Sequence, residues 1–132
     1  MDPQFVTKLQ VEDDDGFPFT LLTTLIYLSK IGAAPGKINR ISVPAGFKTD
    51  YASIPRFFWR VLPPVGKYDR AAVVHDWLYA KNGVTRKQAD DILYEAMGVL
   101  GVPGWQRNVI YAGVRVGGWK PWNEYREKEK SK

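Results

Sequence analysis

The only histidine of the chain stands in the run His75-Asp76-Trp77-Leu78-Tyr79, and Ala89-Asp90-Asp91 follows soon after. These residue types could do acid–base chemistry. An imidazole takes a proton from water near neutral pH when a carboxylate fixes its tautomer, and a second carboxylate can hold a cation that stabilises developing negative charge. On a helix His75 and Tyr79 are four apart and share a face, with Asp76 rotated by roughly a quarter turn.

The elements that must position these groups follow from local signals. A helix is expected from about Tyr68 to Lys81, stopped at Asn82-Gly83. The next opens on Thr85 with Gln88 three residues on, a capping box, and carries Ala89, Ile92, Leu93, Ala96, Met97 and Leu100 as an apolar stripe. The short connection from Lys81 to Val84 favours antiparallel packing, which brings Asp90 opposite the His75 turn. Asp90 would then hold one ring nitrogen and leave the other for water. A further helix starts at Pro103, runs through Val109, Ile110 and Val116, and fails at Gly117-Gly118. Ahead of these, Ser53 can cap a short helix with Pro55 in its first turn, ended by Leu62-Pro63-Pro64.

The N-terminal half has a different texture. Thr20 to Ser29 and Ile38 to Val43 are rich in β-branched and aromatic residues and read as strands joined by the Gly32-Ala33-Ala34-Pro35-Gly36 loop. An acidic turn ending in Gly16-Phe17-Pro18 separates them from a first strand around Phe5 to Val11. The expected fold is therefore α+β: a small antiparallel β-sheet from the N-terminal half, packed on three to four helices from the C-terminal half. We read one domain over residues 1–118 and a charged C-terminal tail over 119–132, in which Trp119 and Trp122 are suited to docking on the domain or on a partner.

Counting excludes several familiar chemistries. The sequence has one histidine and no cysteine among 132 residues. Histidine-rich metal phosphohydrolases and zinc peptidases need more nitrogen ligands, and thiolate chemistry and disulfides are out. None of Ser29, Ser42, Ser53 or Ser131 sits in the glycine-flanked elbow of a serine triad. The formal net charge is +5, but basic residues are scattered and no nucleic-acid module is present, so nothing points to nucleic acid. The N-terminus lacks a signal-peptide pattern and no stretch is apolar enough to span a membrane, so we expect no export by a cleaved signal and no transmembrane segment.

The run Asp69-Arg70-Ala71-Ala72-Val73-Val74-His75-Asp76-Trp77-Leu78-Tyr79, with Ala89-Asp90, resembles the catalytic helix pair of phospholipase A2, particularly the cysteine-free version in parvovirus capsid proteins. The resemblance implies a calcium-assisted lipid-ester hydrolase in which His75 activates water, Asp76 binds calcium, Tyr79 supports the network and Asp90 orients the histidine. Where that family has a glycine-rich calcium loop, this chain has Leu62-Pro63-Pro64-Val65-Gly66, and Asp50 is the second candidate calcium ligand. The longer pattern Val43-Pro44-Ala45-Gly46-Phe47-Lys48-Thr49-Asp50-Tyr51-Ala52-Ser53-Ile54-Pro55-Arg56, Leu62-Pro63-Pro64 and His75-Asp76-Trp77-Leu78-Tyr79 resembles a family of small tailed-phage and prophage proteins of unknown function. That resemblance implies a phage-encoded accessory or virion protein, located in the virion or the host cytoplasm, whose partners are other phage structural proteins or a lipid surface.

A structural reading stands beside the catalytic one. His75 can be a buried side chain satisfied by Asp90 and a backbone carbonyl; Asp76 can pair with Arg56 or Arg70; Tyr79 can be core. Asp90 and Asp91 also suit the first turn of a helix, where the dipole favours acids, and Asp50 can make an Asx turn into the Ser53 cap. On this reading the protein is a non-enzymatic structural or adaptor component of a tail, neck or baseplate. Phe57, Phe58 and Trp59 cannot all face one core from a helix, so at least one is expected to meet solvent or a partner.

Overall fold

The computed structural model describes residues 2–12, 19–49, 69–81 and 83–130. The acidic turn, the Ser53-capped helix, Asp50, Arg56 and the Phe57-Phe58-Trp59 run lie outside the described residues. Within them the fold is α+β, with strands in the N-terminal half and four helices in the C-terminal half.

The strands are β1 (Gln4–Phe5), β2 (Val11–Glu12), β3 (Phe19–Leu21), β4 (Leu25–Ser29), β5 (Asn39–Val43) and β6 (Lys48–Thr49). They form two three-stranded antiparallel sheets, ordered β1-β4-β5 and β2-β3-β6. The continuous strands expected over Phe5 to Val11 and Thr20 to Ser29 are each split between these sheets. A side chain organises the crossing: the Thr7 hydroxyl donates to the Thr24 carbonyl at 3.0 Å and accepts the Ile26 amide at 2.9 Å, standing in for ladder bonds where the chain changes sheet. A threonine of this kind carries the same β propensity inside a strand as at its break, so the pattern alone does not reveal the corner.

Register in the larger sheet follows the apolar alternation. Leu25 pairs with Val43 and Tyr27 with Ile41, and all four are buried, while Arg40 and Ser42 are exposed. A one-residue slip would turn this inner row to solvent. Gly46, at φ 90°, turns the chain from β5 toward β6, and its amide donates to the Leu21 carbonyl at 2.7 Å, fastening this turn to β3.

The helices are α1 (Asp69–Lys81), α2 (Arg86–Val99), α3 (Gly104–Gly117) and α4 (Trp119–Lys130). The capping box at the start of α2 forms as the sequence predicts: the Thr85 hydroxyl accepts the Gln88 amide and the Gln88 side chain accepts the Thr85 amide, both at 3.0 Å. The α2 stripe of Ala89, Ile92, Leu93, Ala96 and Met97 is fully buried and joins Val73, Val74 and Leu78 of α1 and Leu25 and Val43 of the sheet in one core. Tyr27 spans sheet and helix, with its ring on Phe5 and its hydroxyl donating to Glu95 of α2 at 2.8 Å.

The charged C-terminal stretch is a helix with one face docked. Trp122 packs edge-on against the Tyr79 ring at 5.1 Å, and Arg126 donates to the carbonyls of Tyr79 and Ala80 at the end of α1, while Trp119 remains 56% exposed. Among the described residues, no helix is long and apolar enough to cross a membrane.

Candidate functional site

His75 and Tyr79 project from the same face of α1 onto Asp90 of α2. His75 Nε2 lies 2.6 Å from Asp90 Oδ1, and the Tyr79 hydroxyl donates to that same oxygen at 2.6 Å. The two rings pack together with centroids 4.3 Å apart. The antiparallel α1–α2 pairing expected from the short connection is what brings them there. Asp90 is the fifth residue of α2, beyond its first turn, so the helix dipole does not account for its position.

Two arginines complete the shell of Asp90. Arg115 of α3 donates to Asp90 Oδ2 at 2.7 Å, and Arg86, four residues before Asp90, places its guanidinium 3.5 Å from the same oxygen. Arg86 is itself fixed by the carbonyls of Val114 at 3.0 Å and Arg115 at 3.3 Å. His75, Asp76 and Asp90 are each 0% exposed, so this is ionic and polar chemistry carried inside the core. Such burial is tolerable because each Asp90 oxygen accepts charge-assisted or hydroxyl donors. Burial, then the hydrogen bond to Asp90, pushes the Tyr79 phenol well above its ordinary value.

Asp76 accepts from the Tyr125 hydroxyl of α4 at 3.3 Å. Of the two arginines expected as alternative partners for it, Arg70 lies over the Phe5 ring at 5.2 Å and Arg56 lies outside the described residues. Calcium takes six to eight oxygens, and among the described residues no three of His, Cys, Asp and Glu come together as a metal-holding group. Asp50, the second candidate calcium ligand, lies outside the described residues.

The α2–α3 seam continues the polar pattern. Asp91 accepts from Tyr111 at 2.6 Å and Lys87 at 2.8 Å, and Tyr94 donates to Asn108 at 2.9 Å. Burial acts to raise the Asp91 pKa, but the Lys87 and Tyr111 hydrogen bonds outweigh it and leave the carboxyl below its ordinary value.

The structure brings together His75, Tyr79 and Asp90 of the sequence-derived set and adds Arg86, Arg115, Tyr125 and Gly118. Arg86 had a legible signal, its i,i+4 spacing from Asp90. Arg115 and Tyr125 had none, because they arrive from other helices. Gly118 reads as a helix stop, yet its main constraint is space: a Cβ there would collide with the Tyr79 hydroxyl and the Val114 carbonyl. Two surface cavities, of about 570 Å³ at the β4–β5 loop and about 330 Å³ beside Trp77 and Lys81, do not include His75 among their lining residues.

Fold and site together define a small α+β domain whose helices are joined around a buried His–Asp–Tyr–Arg cluster. The chain belongs to the family described as protein of unknown function DUF1353, whose model matches residues 19–114. It is also similar to the uncharacterized protein y4jT of Sinorhizobium fredii, 36% identical over 74 residues, which cover 54% of this chain and 22% of that protein. The matched segment is thus a small part of that relative's length. No solved structure matches.

Proposed function

We propose that this chain is a phage-encoded accessory or virion protein acting as a non-enzymatic structural or adaptor component of a tail, neck or baseplate, with the His75–Asp90 cluster as the polar keystone of its helices. The observation that carries the reading is the saturation of Asp90. Its two oxygens serve His75, Tyr79, Arg115 and Arg86, drawn from α1, α2 and α3; Asp90, His75 and Tyr79 are fully buried, and the two arginines reach them from the partly exposed rim. A fully satisfied network of this kind specifies one packing of the helices, and its arginines share the carboxylate's charge with the histidine. The phage assignment rests on the motif resemblance of residues 43–56 and 75–79.

One observation favours the second reading, a lipid-ester hydrolase. Nε2 of His75 and the Tyr79 hydroxyl meet on the same oxygen of Asp90, the linkage that the phospholipase A2 resemblance implies. In that reading Asp90 orients the ring, Tyr79 steadies Asp90, and His75 is the base that would take the proton of an attacking water.

Two measurements separate the readings. The first is ester hydrolysis on mixed phospholipid vesicles, with calcium and with chelator, for wild type and His75→Ala. The second is the copy number of the protein in purified virions of a phage that encodes it. The adaptor reading expects no turnover and a fixed copy number; turnover abolished by His75→Ala, in a variant whose circular dichroism remains native, would overturn it in favour of the hydrolase.

A further inference from the structure

An apolar stripe runs along the outer face of α3 into α4. It comprises Trp105, Val109, Ala112, Val116 and Trp119, spaced by four, three, four and three residues. All five are exposed, with Trp105 at 62%, Val116 at 78% and Trp119 at 56%. The helical register carries through the α3–α4 junction, because Gly118 donates to the Val114 carbonyl at 2.8 Å and the Trp122 amide to the Gly118 carbonyl at 3.1 Å. Alternating steps of four and three are the spacing of a seam that packs against another helix.

The stripe is also a palindrome in residue type. Tryptophans lie seven residues to either side of Ala112, and valines lie three and four residues to either side. Two-fold pairing of like helices requires a surface complementary to itself, in which residue i meets residue j and j meets i. We propose that this face pairs two copies of the chain antiparallel, with Ala112 at the two-fold axis, Val109 against the partner's Val116, and Trp105 against the partner's Trp119. The small alanine lets the helices approach at the centre while the tryptophans close the ends.

Charge does not oppose the pairing. The stripe carries no ionisable group, and the two arginines of α3 are engaged elsewhere: Arg115 on Asp90, and Arg107 on the Val102 carbonyl and over the Tyr94 ring. A tryptophan buries about 150–250 Å² when covered, so two half-exposed tryptophans per copy contribute on the order of 200–300 Å², roughly 400–600 Å² over both copies, which is below the size of a stable specific interface. The dimer is therefore weak and concentration-dependent, and insensitive to raised salt.

Sedimentation equilibrium over a concentration series tests this with the full chain. Wild type should pass from monomer to dimer, and Ala112→Glu, a good helix former at an exposed position, should weaken association by about a hundredfold or more by burying charge at the axis. The chain has no cysteine, so an Ala112→Cys variant should cross-link to itself under mild oxidation, while Val6→Cys, also exposed but on the sheet side, should not. A chain that stays monomeric throughout, or a dimer untouched by Ala112→Glu, overturns the proposal. So does a monomer that instead sediments with anionic phospholipid vesicles, which would assign the face to a lipid surface.

Discussion

Asp90 has the most consequential side chain in the described structure, because it holds two guanidiniums, a phenol and an imidazole within one core. Asp90→Asn removes the charge but keeps the volume, leaving Arg115 and Arg86 facing an amide. Breaking a buried ion pair from one side costs about 3–5 kcal/mol, and urea unfolding should register a loss of that size. Tyr79→Phe deletes a single donor to a charged acceptor and should cost about 1.5–3 kcal/mol. If Asp90→Asn proves the milder of the two, the arginines are not sharing its charge as their geometry indicates. The motif around His75 and Asp90 was legible as chemistry because a histidine, a tyrosine four residues on and an aspartate on the next helix are a spacing pattern. Arg115 was not, since a guanidinium from α3 leaves no trace in the local sequence around Asp90.

Helices and strands differ in how much of their placement their own residues decide. The start of α2 was fully legible, since Thr85 and Gln88 satisfy each other's backbone amides without help from any distant group. Thr85→Ala should therefore cost about 1 kcal/mol. Gly118 behaves differently: its substitution by alanine pushes a methyl into the Tyr79 hydroxyl and the Val114 carbonyl, and overpacking of that sort costs about 1–3 kcal/mol. Thermal unfolding of the two variants side by side should place Gly118→Ala below Thr85→Ala. The sheet corners at Thr7 and Thr24 were illegible for the converse reason, as strand propensity is blind to which of two sheets a residue joins. Residues 119–130 read as a solvated tail with two exceptional tryptophans, and the structure divides those two: Trp122 is spent on Tyr79 and Trp119 faces outward.

The molecule as a whole is pinned by buried phenols that link its layers. Tyr27 joins the sheet to Glu95, and Tyr79 joins α1 to Asp90; burial first, and then these carboxylates, push both phenols up far beyond the ordinary value of 10.0. A group whose folded pKa is raised contributes stability that is whole below its unfolded pKa and is lost as pH climbs above it. Stability should accordingly fall as pH rises past about 10, the unfolded phenol value. Phenolate absorbance should show a late step that coincides with loss of the helical circular dichroism signal. Tyr79→Phe should shrink that step, whereas smooth titration of every tyrosine in the folded state would contradict this picture. Acid acts through Asp91 in the opposite sense. Its lowered pKa gives a contribution present above the unfolded value of 3.8 and lost as pH falls through the folded one.

Sequence by itself determined the α+β class, the α1–α2 hairpin, the capping box and the convergence of His75, Tyr79 and Asp90, because each of these depends on spacing within one or two neighbouring elements. Only the tertiary structure decided that Asp90 is saturated by Arg86 and Arg115, that Tyr125 reaches Asp76, that Gly118 is a clearance for Tyr79, and that the Trp105 to Trp119 stripe faces outward. Those outcomes depend on which helix lies against which, and that is set by burial of apolar surface summed over the whole core rather than by any local pattern.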